Sequence, residues 1–268
     1  MGHLLSRIYR RFFWQAYDNI GALIAANAIW FGIFAVPTTL CFGLAPLGPA
    51  GRLALTVTVG LGTYALAASG VFALAARIAR REEPAVRRFF GEARKFYPRV
   101  LGLSAIFGAV YLLLFHSIRF YGAIKVGGGV LGYFLAGIQL WILAFCLLMQ
   151  VYLLPLLFLK DWSIRRTIRW SAMLVILRPG LTLLVFLQVF GLCVVLAITS
   201  IGIVLVLYSF AALFLSVGLL EVLREMESAW TPKTRPTSWK EIFAERDREK
   251  GEEAEDQRSL RDILKPWD

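Results

Sequence analysis

Six long apolar runs dominate the chain, at residues 20–43, 53–76, 100–118, 130–158, 180–199 and 201–223. A helix needs about 20 mostly apolar residues to cross a bilayer, because each residue advances about 1.5 Å through an apolar layer about 30 Å thick. Backbone groups in that layer must hydrogen-bond to one another, so the runs are predicted to be helices. The pattern predicts an all-α, polytopic membrane bundle of six transmembrane helices. Because the last two runs nearly touch at residues 199–202, one broken element is an open alternative.

Composition agrees with a membrane protein. Of the 268 residues 58% are hydrophobic and 18% are charged, and the mean hydropathy is +0.66. Soluble domains are typically about 45–50% apolar and about 25% charged. The charges of this chain are concentrated in short segments between the runs and in residues 224–268.

The distribution of Lys and Arg predicts the orientation. Of the 29 basic residues, 26 fall before the first run, after the second, after the fourth or after the sixth. Cytoplasmic loops collect positive charge. We therefore expect the N-terminus and the C-terminus in the cytoplasm, which requires an even number of spans. This bias also accounts for the net charge of +11, so nucleic acid is not an expected partner.

Three regions follow from these patterns. Residues 1–19 are predicted to be an amphipathic interfacial segment, with Leu4 and Ile8 on one face and Arg7 and Arg11 on the other. Residues 20–223 are the predicted six-span transmembrane domain. Residues 224–268 hold ten basic and twelve acidic residues and are predicted to be a largely disordered cytoplasmic tail. Capping-box patterns at 238–241 and 259–262 indicate short helices there, either transient or folded on a partner.

The loops after the second and fourth runs have a helical rhythm with one basic face, which predicts cytoplasmic amphipathic helices. Such helices lie in the headgroup layer, where each basic residue contributes about 1 kcal/mol toward anionic lipid. They either anchor the topology at anionic headgroups or form a docking surface for a membrane or cytoplasmic partner. The residues expected at this surface are Arg87, Arg88, Arg94, Lys95, Arg165, Arg166 and Arg169.

Four amides interrupt the apolar runs: Asn27, Gln139, Gln150 and Gln188. Amides between spans commonly hydrogen-bond to neighbouring helices, with about 0.6–2 kcal/mol for each contact. We interpret them as such helix-packing contacts or, alternatively, as the lining of a polar cavity. No carboxylate falls near the middle of a run, which disfavours ion-coupled transport.

A proline lies inside the first run and predicts a kink. Pro37 lacks a backbone N–H and leaves the carbonyl four residues earlier without its usual donor. The hydroxyls of Thr38 and Thr39 can bond to backbone carbonyls around that bend. We therefore predict a kinked first span with one polar face toward the bundle.

Residues for catalysis are few. The chain has two histidines, His3 and His116, and no phosphate-binding loop, nucleophile elbow or zincin motif. The three cysteines lie in apolar runs without paired spacing. We expect no enzyme activity, no cofactor and no metal site.

The sequence resembles the YesL-like family, small bacterial multi-pass membrane proteins of uncharacterised function, over roughly residues 5–222. The residues that carry the resemblance are Asp18-Asn19-Ile20, Asn27-Ala28-Ile29-Trp30, Val36-Pro37-Thr38-Thr39, Phe89-Phe90, Lys95-Phe96-Tyr97-Pro98, Tyr152-Leu153-Leu154-Pro155, the loop that begins at Ser163 and Arg178-Pro179-Gly180. Members of that family often accompany carbohydrate-uptake systems. The resemblance implies a transport-associated role in the bacterial inner membrane and supplies no catalytic residues.

Together with these observations, the resemblance implies an accessory or assembly component of a carbohydrate transport system, with a membrane or cytoplasmic subunit of that system as its partner. The alternative is a transporter in its own right, for a neutral polar solute or a lipid-linked sugar that enters between the amides. An intramembrane enzyme is the third hypothesis, which the residue inventory disfavours.

Overall fold

The computed structural model describes residues 2–43, 48–84, 86–123, 130–198 and 206–230. Within these ranges the chain forms nine α-helices, a π-helical turn at Phe31–Ala35 and a 3₁₀ turn at Val86–Arg88. The α-helices are α1 Gly2–Asp18, α2 Ile20–Trp30, α3 Val36–Phe42, α4 Pro49–Ala79, α5 Phe89–Ala123, α6 Val130–Lys160, α7 Ile164–Leu177, α8 Pro179–Ile198 and α9 Leu207–Trp230.

In the described part of the chain, five helical stretches are long and apolar enough to cross a membrane. They are Ile20–Cys41, Ala50–Ala79, Val86–Ala123, Val130–Lys160 and Leu207–Glu227. The helices α7 and α8 meet at an angle of 105°, and together they give a sixth stretch if the bent pair is one span. The predicted all-helical class is confirmed for the described residues, and the length and composition of these stretches support a multi-pass membrane protein.

Helix α4 lies at the centre of the bundle and contacts α2, α3, α5, α6 and α9. Its second half is rich in small residues, and Ala65, Ala68 and Ala75 are fully buried. Small side chains let neighbouring helix backbones approach closely. The closest approach is at Gly70, where the ring of Phe89 from α5 occupies the space that a Cβ would fill.

The packed core lies toward one end of the bundle. In α6 every residue of the stretch 151–159 is buried, whereas the first half of the helix exposes large side chains such as Trp141, which is 80% accessible. Exposed apolar side chains carry no penalty where they face lipid tails. We call the packed end the basic end, because Arg11, Arg77, Lys95 and Lys160 lie there.

The region around Pro37 contains the π-helical turn, which the sequence pattern did not predict. The turn comes directly before α3, in which Pro37 is the second residue. A wider turn accommodates a proline ring inside a continuing helix. Thr38 Oγ1 donates to the Phe34 carbonyl (2.6 Å), and Thr39 Oγ1 lies 2.9 Å from the Ala35 carbonyl.

The two terminal regions also form helices. In α1 the side chains of Leu4 and Ile8 are buried, and the Phe12 ring packs on Phe214 of α9 at 5.3 Å. Helix α9 continues to Trp230, beyond the predicted boundary at residue 223. The tail segments 238–241 and 259–262 lie outside the described residues.

The contact between Gly70 and Phe89 gives a test of the packing. We expect Gly70→Ala to lower the free energy of unfolding by about 1–3 kcal/mol, because the buried Phe89 ring must move. Gly91→Ala is the matched control, since nothing lies within 4 Å of its Cβ position and alanine favours a helix by about 0.5–1 kcal/mol. Thermal unfolding of both variants in detergent measures the difference. Equal stability of the two variants would contradict the packing described.

Candidate functional site

Asn27 joins the first apolar helix to the last one. Its side chain is 0% exposed, and its Oδ1 accepts hydrogen bonds from the backbone N–H groups of Tyr208 (2.9 Å) and Ser209 (3.1 Å). Both donors lie in the first turn of α9, where backbone N–H groups have no partner within the helix. The amide of α2 therefore caps α9 from across the bundle.

Aromatic rings surround this cap. Trp30 stacks on Tyr208 with centroids 4.6 Å apart and planes 10° apart. The Tyr208 hydroxyl lies 3.2 Å from the Tyr64 hydroxyl of α4, and Phe72 meets the Tyr208 ring at 5.9 Å. Sequence reasoning missed Tyr64 and Tyr208, because aromatic residues are frequent in apolar runs and nothing local distinguishes these two. The cluster ties α2, α4 and α9 together.

The three glutamines have different surroundings. Gln150 donates from Nε2 to the Tyr111 hydroxyl (2.8 Å), and that hydroxyl donates to the Cys146 carbonyl (3.2 Å). These bonds join α5 to α6. In the part of the chain that the structure describes, the buried Oε1 atoms of Gln139 and Gln188 have no hydrogen-bond partner. Asn27 therefore joins α2 to α9, whereas Gln150 joins α5 to α6.

A further polar contact joins α6 to α8. The Tyr152 hydroxyl lies 2.8 Å from Thr182 Oγ1, and Thr182 Oγ1 also lies 2.9 Å from the Arg178 carbonyl. Both side chains are buried. The Thr182 hydroxyl lies in the first turn of α8, directly after the bend that follows α7.

Carboxylates near the end of α9 pair with three other parts of the bundle. Glu221 pairs with Arg11 of α1, and both side chains are less than a tenth exposed. Glu225 lies 3.1 Å from Arg178 between α7 and α8, and Glu227 lies 3.4 Å from Lys160 at the end of α6. Exposed pairs contribute about 0–1 kcal/mol, whereas loss of one partner from a buried pair costs about 3–5 kcal/mol. The Arg11–Glu221 pair is therefore the energetically important one.

Arg11 and Arg80 also bond to backbone carbonyls at the basic end. Arg11 Nη2 donates to the Ala79 carbonyl at the end of α4 (3.3 Å). Arg80 Nη2 donates to the Phe158 carbonyl (3.1 Å) and to the Leu159 carbonyl at the end of α6. The last carbonyls of a helix lack partners within it, and a cation is favourable there.

The basic residues predicted to lie at the surface form two groups. All seven are exposed: Arg87, Arg88, Arg94, Lys95, Arg165, Arg166 and Arg169. The first four lie in the 3₁₀ turn before α5 and in the first two turns of that helix, and the others lie in α7. The opposite side of α7 is buried through Thr167, Ser171, Leu174 and Val175.

Asp161 precedes α7 and pairs with two cations of α5. Its carboxylate pairs with Arg99 and lies 3.4 Å from Lys95 Nζ, and both cations belong to α5. The hydrogen bond from Arg99 is the main cause that lowers the pKa of Asp161, and the Lys95 charge lowers this pKa further. Asp161 therefore stays ionised at neutral pH and keeps the start of α7 beside α5.

Aromatic side chains lie among the arginines of α7. The Arg166 guanidinium lies 4.4 Å from the centre of the Trp162 ring, and Trp162 contacts Trp170 with centroids 5.5 Å apart. Guanidinium groups stack favourably on indole rings. We define the basic face as the surface formed by Lys95, Arg99, Arg165, Arg166 and Arg169.

The role of Asn27 gives a second test. Asn27→Leu leaves the N–H groups of Tyr208 and Ser209 without an acceptor, and each unsatisfied buried donor costs about 1–3 kcal/mol. We expect a lower unfolding temperature in detergent. Gln139→Leu is the matched control and should change stability little, because its buried Oε1 already lacks a partner among the described residues. An equal decrease in unfolding temperature in both variants would contradict a stabilising role of the Asn27 cap.

The bundle interior and the basic face differ in the polar groups that they present to a ligand. Inside the bundle, Asn27 and Gln150 are engaged by neighbouring helices, whereas the basic face presents exposed cations beside indole rings. Among the described residues, no three His, Cys, Asp or Glu side chains are grouped to hold a metal ion.

No family model, curated protein or solved structure matches this chain.

Proposed function

We propose that this chain is an accessory or assembly component of a transport system and contacts its partner through the basic face. The observation that carries the proposal is the exposure of Arg165, Arg166 and Arg169 on α7, directly beside a tightly packed core. Exposed arginines beside aromatic rings suit recognition of an anionic surface. Such a surface is either a carboxylate-rich face of a transport subunit or a layer of anionic lipid headgroups.

The orientation follows from the same charges. Of the 29 Lys and Arg residues, 26 fall in the segments before the first apolar run or after the second, fourth or sixth, and the positive-inside rule assigns such segments to the cytoplasm. We propose the bacterial inner membrane, with both chain termini in the cytoplasm. The YesL-like resemblance supports this location and a link to carbohydrate uptake.

We propose six spans, with α8 as a span of its own. Helix α8 has 20 residues, which reach about 30 Å and so match the apolar layer. Helix α7 carries three exposed arginines and turns by 105° relative to α8. A helix of that composition lies favourably along the membrane surface.

A transporter of a neutral polar solute or lipid-linked sugar is the second candidate function. It is favoured by polar atoms that lack a hydrogen-bond partner among the described residues, namely Gln139 Oε1, Gln188 Oε1 and Trp30 Nε1. A solute hydroxyl could satisfy such atoms. The accessory function ranks first because Asn27 and Gln150, the other two amides, bond to neighbouring helices.

The proposed function predicts a partner whose binding depends on α7. Full-length protein purified in mild detergent should retain a stoichiometric transport subunit, and Arg165→Gln/Arg166→Gln/Arg169→Gln should reduce its recovery at least about tenfold if each contact is worth about 0.5–1 kcal/mol. Arg52→Gln/Arg119→Gln is the control, since neither residue lies at the basic end in the predicted topology.

Two results would overturn the accessory function. One is solute flux by the purified chain alone in liposomes, which would favour the transporter. The other is labelling of Ser163→Cys by an impermeant maleimide added to intact cells, because Ser163 is exposed beside the basic face and should be reached only from the cytoplasm.

A further inference from the structure

The basic face has too few counter-charges. Lys95 and Arg99 share the single carboxylate of Asp161. Within the described ranges, Arg165 and Arg169 form no ion pair, and Arg166 contacts the Trp162 ring. The basic face therefore holds five cations, and among the described residues only Lys95 and Arg99 are paired with a carboxylate. An anionic group that binds to this face is stabilised by the positive charges that remain.

The end of α9 brings the following chain segment to this place. Glu227 pairs with Lys160, which comes four residues before α7, and Glu225 pairs with Arg178, which comes directly after α7. The last turns of α9 are thus tied to both ends of α7. The chain therefore leaves α9 at Trp230, three residues after the ion pair between Glu227 and Lys160.

An acidic segment follows within reach. Residues 252–256 read Glu-Glu-Ala-Glu-Asp, four carboxylates without a cation, and begin 22 residues beyond Trp230. If the tail is disordered, as its composition predicts, a segment of this length has a root-mean-square span of about 26 Å, and α7 with its 14 residues is about 21 Å long. Such a tether gives an effective concentration in about the millimolar range.

The half of α7 that carries the arginines is suited to binding a segment from the aqueous phase. The large apolar side chains that α7 exposes are Met173, Ile176 and Leu177, all in its last five residues. Arg165, Arg166 and Arg169 occupy the first half. An apolar end that lies in lipid tilts the basic half toward water, where a soluble segment of the chain can reach it.

We propose that residues 252–256 dock on the basic face of the same chain and cover it. Docking pairs four carboxylates with the arginines of α7, and any acidic partner or anionic lipid surface must displace the segment to bind. The docking contact stands on charge and chain geometry alone, and only its role as a regulator of partner binding rests on the proposed function.

Limited proteolysis of the purified full-length protein in zwitterionic lipid nanodiscs tests the contact. Trypsin sites at Lys250 and Arg258 flank the acidic segment, while the site at Lys233 lies near the end of α9 and serves as an internal reference. Arg165→Gln/Arg166→Gln/Arg169→Gln should speed cleavage at Lys250 and Arg258 about tenfold, as expected from several exposed ion pairs. Cleavage at Lys233 should not change.

Salt and lipid provide the controls for this experiment. At about 1 M salt the Debye length falls to about 3 Å, so the unmodified protein should reach the cleavage rate of the variant. Anionic lipid in the nanodisc should likewise speed cleavage by competition. Equal rates in both proteins at low salt, or acceleration at Lys233 as large as at Lys250, would overturn the docking.

Cross-linking with a charge swap gives an independent measurement. In a chain with Cys41, Cys146 and Cys193 replaced by alanine, Ser163→Cys and Ala254→Cys should form a disulfide under mild oxidation. Arg165→Glu/Arg166→Glu/Arg169→Glu should slow the reaction about tenfold. Glu252→Lys/Glu253→Lys/Glu255→Lys in the same chain should restore it, and failure to restore it would contradict the proposed pairing. Since both measurements use the purified chain without a partner, their outcome is independent of the partner experiment.

Discussion

The Asn27 carboxamide satisfies two backbone N–H groups at the start of α9, the helix that packs against α1, α2, α4, α6 and α8. Glu221 lies 13 residues after Tyr208, which is about 20 Å along the helix. If Glu221 marks the edge of an apolar layer about 30 Å thick, α9 begins inside that layer. Backbone donors have no water to bond there, and each unsatisfied group costs several kcal/mol. A polar side chain from another helix is therefore required.

The opposite end of α9 is fixed by charge. Glu221 holds α1 through Arg11, while Glu225 and Glu227 reach the flanks of α7. One helix thus sets the positions of α1, α2, α6 and the bend between α7 and α8. Because α7 is held along the basic end, its arginines stay on the surface as a preformed basic face.

Sequence patterns predicted the features that depend on local composition. Long apolar runs predicted the helices of spanning length, and the helical rhythm of residues 163–177 predicted an amphipathic α7 next to an apolar α8. The polarity of Asn27 indicated that its amide must face away from lipid. The pattern did not indicate α9 as the partner, since the hydrogen bond joins residues 181 positions apart.

The features that sequence reasoning missed depend on contacts between distant segments. The Arg11–Glu221 pair spans 210 positions, and each residue alone is typical of the end of a span. The Tyr64–Tyr208 contact and the π-helical turn before Pro37 also leave no periodic signal. Glu225 and Glu227 fall in the predicted tail, residues 224–268, whereas in the structure they belong to α9 and take part in the packing of the basic end.

Amide hydrogen exchange at Tyr208 and Ser209 measures the central contact most directly. In the unmodified protein we expect both amides to be as well protected as those in the middle of α9, because Asn27 Oδ1 accepts from each of them. Replacement of Asn27 by leucine should speed exchange at these two amides at least about tenfold, which corresponds to about 1.4 kcal/mol, while the middle of α9 stays protected. Unchanged exchange at both amides would contradict the account.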